Sequence, residues 1–341
     1  MKKNYLAVFF IPIFILAIFY FVPHNNKLRS NFNRKLISNK KVLAIDTIHL
    51  NAGEIVDGMV INKNNLWLNE RYFFAYFDGD YKKNVIETEA SSERSPIVNF
   101  YVENNHIYYL LANARMINVI AMKDTIRSRF DFSFPATYFI ELNENSFLFQ
   151  EATIGTATDR LHFKDFKHNH EFINDSLFSK ETGSGIRYSG SWFASSEKTN
   201  FFFVPQYEEQ ILCFDSAGNL KYKFKPIDFQ NQKLEVIKEG DRFYLSPQAS
   251  VLRLGACASK NNLFVSSYVI AENQVKEDFN NYLTIDVYQI DNGKYKFSFY
   301  VPSLDDTKPL DFIISEDFFL FGLYKKSIVK YNLSNFLVND K

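Results

Sequence analysis

The hydrophobic and polar positions of this 341-residue chain repeat in one pattern. An apolar strand is followed by a tight turn of Asn, Glu, Lys or Asp, and then by a second, more strongly apolar strand. Apolar runs separated by short polar turns predict antiparallel hairpins. The hairpins cover residues 58–68, 98–111, 137–149, 192–204, 254–267 and 310–323.

The spacing of the hairpins predicts how they assemble. Their second strands begin about 40 to 60 residues apart, which is close to the length that four short strands and their turns need in a propeller blade. Two further strand-like runs follow the fourth hairpin, at residues 210–215 and 220–226. The sequence therefore predicts an all-β, six-bladed propeller over residues 42–341.

Two segments stand outside the regular repeat. Only one strand-like run follows the sixth hairpin, whereas residues 42–50 read as a strand without a hairpin of its own. We expect this N-terminal strand to complete the last blade and close the ring, because closure removes exposed strand edges. Residues 234–245 also read as strand, turn and strand. We interpret them as an inserted hairpin, the alternative being an incomplete seventh blade.

The chain begins with an unbroken apolar run at residues 5–23, preceded by Lys2 and Lys3. A helix of this length just spans the ~30 Å hydrocarbon layer of a bilayer. No small-residue cleavage site follows the run, so residues 1–23 are predicted to be a transmembrane anchor or uncleaved signal. Residues 24–41 are rich in Lys and Arg and are predicted to be a basic linker.

The orientation of the predicted anchor rests on two opposed signals. More basic residues follow the apolar run than precede it, and the positive-inside rule then favours a cytoplasmic domain. A short basic head, an apolar run and a large β domain are instead the layout of an export signal. We expect an extracytoplasmic domain, and a cytoplasm-facing tethered sensor is the alternative.

The hairpin rhythm over roughly residues 42–335 resembles that of the six-bladed propellers grouped as TolB-like. These include membrane-anchored envelope proteins of unassigned function. The resemblance implies the propeller fold and an envelope location, and leaves the activity open. This chain departs from the lipid-anchored relatives because no lipobox cysteine stands directly after its apolar run.

Composition and charge exclude several functions. Lys plus Arg and Asp plus Glu both total 39, so no global field favours nucleic acid as a partner. The chain contains 37 Phe and 20 Tyr, which favour half-buried strands. Its two cysteines, Cys213 and Cys257, form no Cys-x-x-Cys pair for zinc or redox chemistry. Cys213 is interpreted as a buried, inert thiol. The disfavoured alternative is a disulfide with Cys257, which would require neighbouring blades to bring the two together.

Residues 159–172 carry the densest set of potential metal ligands. His168 and His170 would share a face in a strand, with His162 nearby, and this arrangement raises the hypothesis of a transition-metal site. The alternative is a solvated polar edge that discourages strand pairing. We favour that alternative because the segment falls in the outer strands of the third blade.

Some six-bladed propellers are hydrolases or lyases with calcium in the central channel. Oxygen donors that lie before or within the predicted inner strands are Glu54, Asp57, Asn99 and Asp311. Asn and Asp are also ordinary turn residues. The motifs of nucleophilic enzymes and phosphate loops are missing from the sequence.

The remaining candidates precede inner strands and would lie at a channel mouth. Arg187, Tyr188 and Trp192 could bind a ligand by charge and stacking, and Arg253 is a second cation near the same axis. For Trp192 a core position is the favoured alternative. The sequence predicts a membrane-anchored binding or scaffold module for a protein or small molecule, without a cofactor. A calcium-dependent hydrolase or lyase is the alternative.

Overall fold

The repeated hairpins form the inner halves of four-stranded antiparallel sheets in a computed structural model of the chain. Within the residues that the structure describes there are six such sheets, or blades, and one separate two-stranded sheet. The described residues are 31–37, 42–51, 53–62, 65–78, 82–90, 95–112, 114–122, 127–143, 145–153, 158–174, 188–230, 234–240, 242–247 and 249–334.

The strands are numbered in chain order. The first, β1, is Leu43–His49. Blade 1 consists of β2 (Gly58–Asn62), β3 (Asn65–Asn69), β4 (Phe73–Phe77) and β5 (Lys83–Glu87). Blade 2 consists of β6 (Ile97–Glu103), β7 (His106–Leu111), β8 (Met116–Ala121) and β9 (Arg127–Asp131). Blade 3 consists of β10 (Ala136–Asn143), β11 (Ser146–Thr153), β12 (Thr158–Asp165) and β13 (His170–Asn174).

Blade 4 consists of β14 (Gly190–Ala194), β15 (Phe201–Pro205), β16 (Ile211–Phe214) and β17 (Leu220–Phe224). The separate sheet consists of β18 (Val236–Glu239) and β19 (Arg242–Leu245). Blade 5 consists of β20 (Ala256–Ser259), β21 (Asn262–Ser267), β22 (Tyr282–Gln289) and β23 (Tyr295–Pro302), with the short helix α1 (Lys276–Asn281) before β22. Blade 6 contains β24 (Asp311–Ile314), β25 (Phe319–Tyr324) and β26 (Ser327–Asn332), and β1 is its fourth strand.

Burial of a strand follows its distance from the centre of its blade. All five residues of β15 are buried, because neighbouring blades cover both faces of the middle strands. The outermost strand β17 instead alternates between half-buried and exposed positions, and the innermost strand β14 is half-buried at four of its five positions. This difference explains why the second strand of each hairpin is the more strongly apolar one in the sequence.

The six innermost strands form a closed ring. Contacts join neighbouring inner strands in the order β2, β6, β10, β14, β20, β24 and back to β2. The prediction of a six-bladed all-β propeller is confirmed. The separate hairpin of β18 and β19 has no blade partners in the described residues, so residues 234–245 are an inserted hairpin and not a seventh blade.

The last blade is completed by β1, the first strand among the described residues, as predicted. β1 pairs antiparallel with β26 from Leu43 opposite Asn332 to His49 opposite Ser327. The side chain of Ile48 packs into a cluster shared by blades 6 and 1, which includes Leu66 and Leu323. The ring is therefore held shut by both backbone pairing and apolar contact.

The short segment 31–37 also packs on the propeller, although the sequence places it within a basic linker. The backbone of this segment pairs with β23, the outer strand of blade 5. Ile37 N–H donates to the Ser298 carbonyl at 3.0 Å, and Ser298 N–H donates to the Lys35 carbonyl at 3.0 Å. The N-terminal segment therefore covers part of the outer edge of blade 5.

Arg34 anchors this segment in the interior. Arg34 is only 3% exposed. Its Nε and Nη2 donate to the two carboxylate oxygens of Asp286 at 2.8 and 3.0 Å. The guanidinium also donates to the Val269 carbonyl at 2.7 Å, to Ser267 Oγ at 2.6 Å and to Gln274 Oε1. A buried charge needs partners of this kind, because an unpaired one carries a large desolvation cost.

The predicted anchor, residues 1–23, lies outside the described residues. Among the residues that are described, no helix is both long and apolar enough to cross a bilayer.

We expect β1 to stabilise the whole ring. A variant of residues 51–341 should be less stable than one of residues 38–341 by about 3 to 6 kcal/mol, at about 1 kcal/mol per net hydrogen bond. Both variants lack Arg34, so the difference isolates β1. Thermal melts would show it, and a synthetic peptide of residues 42–50 should restore the melting temperature where a scrambled peptide does not. Equal melts for the two variants would refute closure by β1.

Removal of the buried guanidinium should be costly. We expect Arg34→Met to lower the free energy of unfolding by about 3 to 5 kcal/mol, because it leaves Asp286 buried without a counter-charge. The matched control is Arg71→Met, since Arg71 pairs with Asp57 on the surface at 3.1 Å. That change should cost less than about 1 kcal/mol. Urea unfolding measures both, and similar losses would contradict the anchoring role of Arg34.

Candidate functional site

One end of the propeller carries a set of exposed aliphatic side chains. The inner strands run in the same direction around the axis, so their first residues share one end, here called the upper face. Four side chains, here called the apolar rim, precede or begin inner strands in blades 1, 2, 5 and 6. They are Ile55, Val98, Leu254 and Leu310, exposed by 49%, 44%, 40% and 54%. Exposed apolar groups gathered on one surface mark an interaction site.

A cleft of about 600 Å³ opens between blades 6 and 1 on this face. Its wall includes the rim residues Ile55 and Leu310 together with Leu323 of β25. Lys325 and Lys326 lie in the exposed turn after β25, at the edge of the cleft. Neither lysine forms an ion pair with any described residue. The cleft therefore combines an apolar wall with two ammonium groups that a partner could engage.

The channel below the rim contains a small cluster of polar side chains that come from several blades. Tyr138 Oη donates to the Trp192 carbonyl at 2.6 Å, and Asn99 Oδ1 accepts from Phe139 N–H at 3.1 Å. Burial raises the pKa of Asp311 to about 6. Burial, together with the nearby charge of Asp311, raises the pKa of Tyr138 to about 12.

The four predicted oxygen donors divide into two pairs. In the channel, a hydrogen bond with the Asn99 side chain lowers the pKa of Tyr138, whereas the nearby charge of Asp311 raises it. Glu54 instead accepts from Lys83 Nζ at 2.7 Å, and Asp57 pairs with Arg71 away from that group. In the described part of the chain, no group of three or more His, Cys, Asp or Glu side chains could hold a metal ion. The absence of a cofactor, and its alternative of a bound calcium, both stay predictions.

The three histidines of blade 3 do not form a common site. His162 is buried, and its ring nitrogens lie 2.6 Å from Glu151 Oε2 and 3.1 Å from Glu171 Oε1. His170 lies opposite Asp165 in the sheet, on the other face from His162. His168 is exposed in the turn between the strands and pairs with Asp165 at 2.7 Å. Because both ring nitrogens of His162 form hydrogen bonds with carboxylates, neither is available to bind a metal ion.

Arg253 lies in the interior and is 1% exposed. Its Nη2 donates to Asp228 Oδ1 at 2.7 Å, and Nη1 donates to the Glu208 carbonyl at 2.9 Å. Ser267 Oγ donates to the other oxygen of Asp228 at 2.7 Å and also accepts from Arg34. The two buried ion pairs are thus joined through one hydroxyl group. This position of Arg253 joins blades 4 and 5 and offers no guanidinium surface to a ligand.

The glycine-rich segment before blade 4 is described only in part. Arg187 lies outside the described residues, whereas Tyr188 is half-buried against the core of blades 3 and 4. Trp192 is 4% exposed, its Nε1 donates to Gln150 Oε1 at 2.8 Å, and its ring packs on Phe203. The structure therefore places Trp192 in the core. Cys213 and Cys257 are buried free thiols.

A charged group that sequence reasoning missed lies at the opposite end of the channel. Lys198, in the inner turn of blade 4, donates to Glu141 Oε2 of blade 3 at 2.8 Å and to Glu103 of blade 2. Burial lowers the pKa of Lys198 to about 8. All three residues lie at or beside the turns of the inner hairpins. Their equivalent positions in the repeat could have indicated from the sequence that they meet at one end of the channel.

The fold is shared with proteins of different kinds. No protein family profile and no curated protein matches this sequence. Three solved structures resemble it over 86% of the chain. One is a member of the DUF4221 family from Bacteroides vulgatus, with a TM-score of 0.54, 10% identity and 97% of that chain covered.

The other two structures are a lyase and a WD40 domain. A streptogramin B lyase has a TM-score of 0.53 and 12% identity, with 99% of that chain covered. The Pan2 WD40 domain of Neurospora crassa has a TM-score of 0.53 and 8% identity, with 98% of that chain covered. The shared feature is the β-propeller. Identities this low show the fold alone, so the TolB-like resemblance stays a prediction.

The raised pKa of Asp311 makes stability depend on pH. The folded protein keeps this proton up to about pH 6, whereas an unfolded Asp loses it near pH 3.9. Stability should therefore fall as the pH rises from about 4 to 6, by roughly 2 to 3 kcal/mol at 1.36 kcal/mol per pKa unit.

Asp311→Asn should remove this contribution. Urea unfolding between pH 4 and 8 should give the variant a flatter profile than the natural protein. Asp317→Asn, in an exposed turn of the same blade, is the matched control. Identical profiles for the natural protein and Asp311→Asn would show that Asp311 is not desolvated.

Proposed function

We propose that this protein is a membrane-anchored, extracytoplasmic binding or scaffold module whose protein partner docks on the apolar rim of the upper face. The proposal includes membership of the TolB-like group of propellers and a membrane anchor at residues 1–23. The observation that carries it is the convergence of four exposed aliphatic side chains from four blades on one end of the ring.

The chemistry of the upper face defines the partner. Aliphatic side chains exposed by 40% to 54% lose water when a protein surface covers them, and such burial is the main favourable term in association. Lys325 and Lys326 stand beside this surface. A partner that presents apolar side chains next to carboxylates complements both features, and the charged pairs would set its orientation.

The channel supports binding better than it supports metal-dependent hydrolysis. A calcium hydrolase or lyase needs carboxylates and amides from several blades that converge on one point. Glu54 and Asp57 form ion pairs with Lys83 and Arg71 instead. Function in this fold then lies in the loops and strand ends of the upper face.

The N-terminal segment constrains how the propeller would sit on a membrane. The Phe32 carbonyl accepts from Glu272 N–H at 3.0 Å, in the long loop between β21 and β22. An anchor that ends at residue 23 leaves about eight residues before this contact, which reach at most about 30 Å when extended. Blade 5 would therefore be held close to the bilayer.

Photo-crosslinking would test the docking surface. A photoreactive amino acid at Leu310 should give one discrete adduct in intact cells, and Val98→Asp should abolish that adduct. The matched control is the same probe at Ile173, which is 51% exposed on outer strand β13 and should give no discrete adduct. Equal adduct patterns at the two positions would count against the apolar rim.

Fractionation and reporter fusions would test the anchor. The full chain should remain in membranes after alkaline carbonate extraction, whereas residues 31–341 should be released. Alkaline phosphatase fused after residue 341 should be active and a fluorescent protein there dark, because the proposed domain lies outside the cytoplasm. The opposite reporter result would support the cytoplasm-facing alternative.

A further inference from the structure

A second cleft, of about 540 Å³, lies between blades 1 and 2. Its apolar wall includes Tyr109 and Leu111 of β7 and Met116 of β8. Its polar wall includes Asn118 of β8 and the side chains of two arginines of β9, Arg127 and Arg129. A volume of this size suits a small molecule.

Asn118 is the unusual residue of this cleft. It is 8% exposed and lies between Tyr109 and Arg129 in the sheet. Its side-chain amide forms no hydrogen bond with any described residue. The amide reaches the solvent of the cleft, where water is its default partner. A ligand in the cleft would replace that water and accept from, or donate to, the amide.

The two arginines supply positive charge that is easily redirected. Arg127 pairs with Glu89 at 2.9 Å, and Arg129 pairs with Asp131 at 3.4 Å. The four side chains are exposed by 44% to 64%, and exposed pairs of this kind contribute only about 0 to 1 kcal/mol. A competing anion can therefore replace either carboxylate at little cost. The planar guanidinium fork matches a carboxylate in a bidentate manner.

We infer that the cleft between blades 1 and 2 binds a small organic carboxylate with a compact apolar body. The carboxylate would accept from Arg129, which lies opposite Asn118 in the sheet, and from the Asn118 amide, and the apolar body would lie on Leu111 and Met116. This ligand site goes beyond the proposed docking of a protein on the apolar rim. It rests on different residues, so either assignment can fail without the other.

Calorimetric titration of the full chain in detergent would test the inference. The probes are benzoate and hexanoate, each compared with its neutral amide. At least one carboxylate should bind with one-to-one stoichiometry and about tenfold more tightly than its amide, because only the anion gains the charge-assisted hydrogen bonds. No saturable binding of either carboxylate up to about 10 mM, or equal binding of acid and amide, would overturn the inference.

Three variants locate the binding. Arg129→Gln should weaken carboxylate binding about tenfold, and Asn118→Asp should weaken it at least as much because it places a negative charge at the same volume. Arg160→Gln, at an exposed arginine of blade 3, is the matched control and should bind like the natural protein.

The variants also separate local binding from loss of the fold. Arg129 is exposed, so Arg129→Gln should retain the natural melting temperature and keeps the test valid if Asn118→Asp unfolds. Unchanged affinity in Arg129→Gln, or equal losses in Arg129→Gln and Arg160→Gln, would show that the carboxylate binds elsewhere.

Discussion

The pairing of β1 with β26 is the constraint on which the rest of the structure depends. A ring of sheets has no stable boundary unless its first and last blades are joined, and here the join is made by the first strand of the ordered ring. The pairing covers the edge of β26, which would otherwise offer its backbone to other chains. It also brings blade 6 against blade 1, where Ile48 packs with Leu66 and Leu323. The cleft that joins Ile55 to Leu310 exists only because these two blades are held together.

Closure alone does not explain how the N-terminal segment is fixed on blade 5. Arg34 enters the interior and is satisfied by Asp286, which lies 252 positions away in sequence. Ser267 links this ion pair to the pair formed by Asp228 and Arg253. Paired and hydrogen-bonded in this way, buried charges favour one arrangement over others, because any displacement leaves a charge unpaired. The direction of the chain toward the proposed membrane anchor is therefore set by a buried network.

The sequence was sufficient for the architecture and insufficient for the polar contacts, for a physical reason. Alternation of apolar and polar residues reports which strand faces are covered, so the six hairpins, the closing strand and the inserted hairpin at residues 234–245 could be predicted. It does not report which polar groups meet across distant blades. Arg253 and Trp192 were weighed as ligand contacts because they precede or begin inner strands, yet Asp228 and Gln150 hold them in the interior. The burial of Arg34 and the position of Asn118 in a cleft also depend on three-dimensional neighbours.

Hydrogen exchange of the β1 backbone amides in the full chain would test ring closure most directly. Local fraying and global unfolding exchange amides at different free energies of opening. If β1 closes the ring, the paired amides of Thr47 and Ile48 should open with the same free energy as those of the central strand β25. Exchange of β1 at the rate of a frayed terminus, while β25 stays protected, would contradict the account.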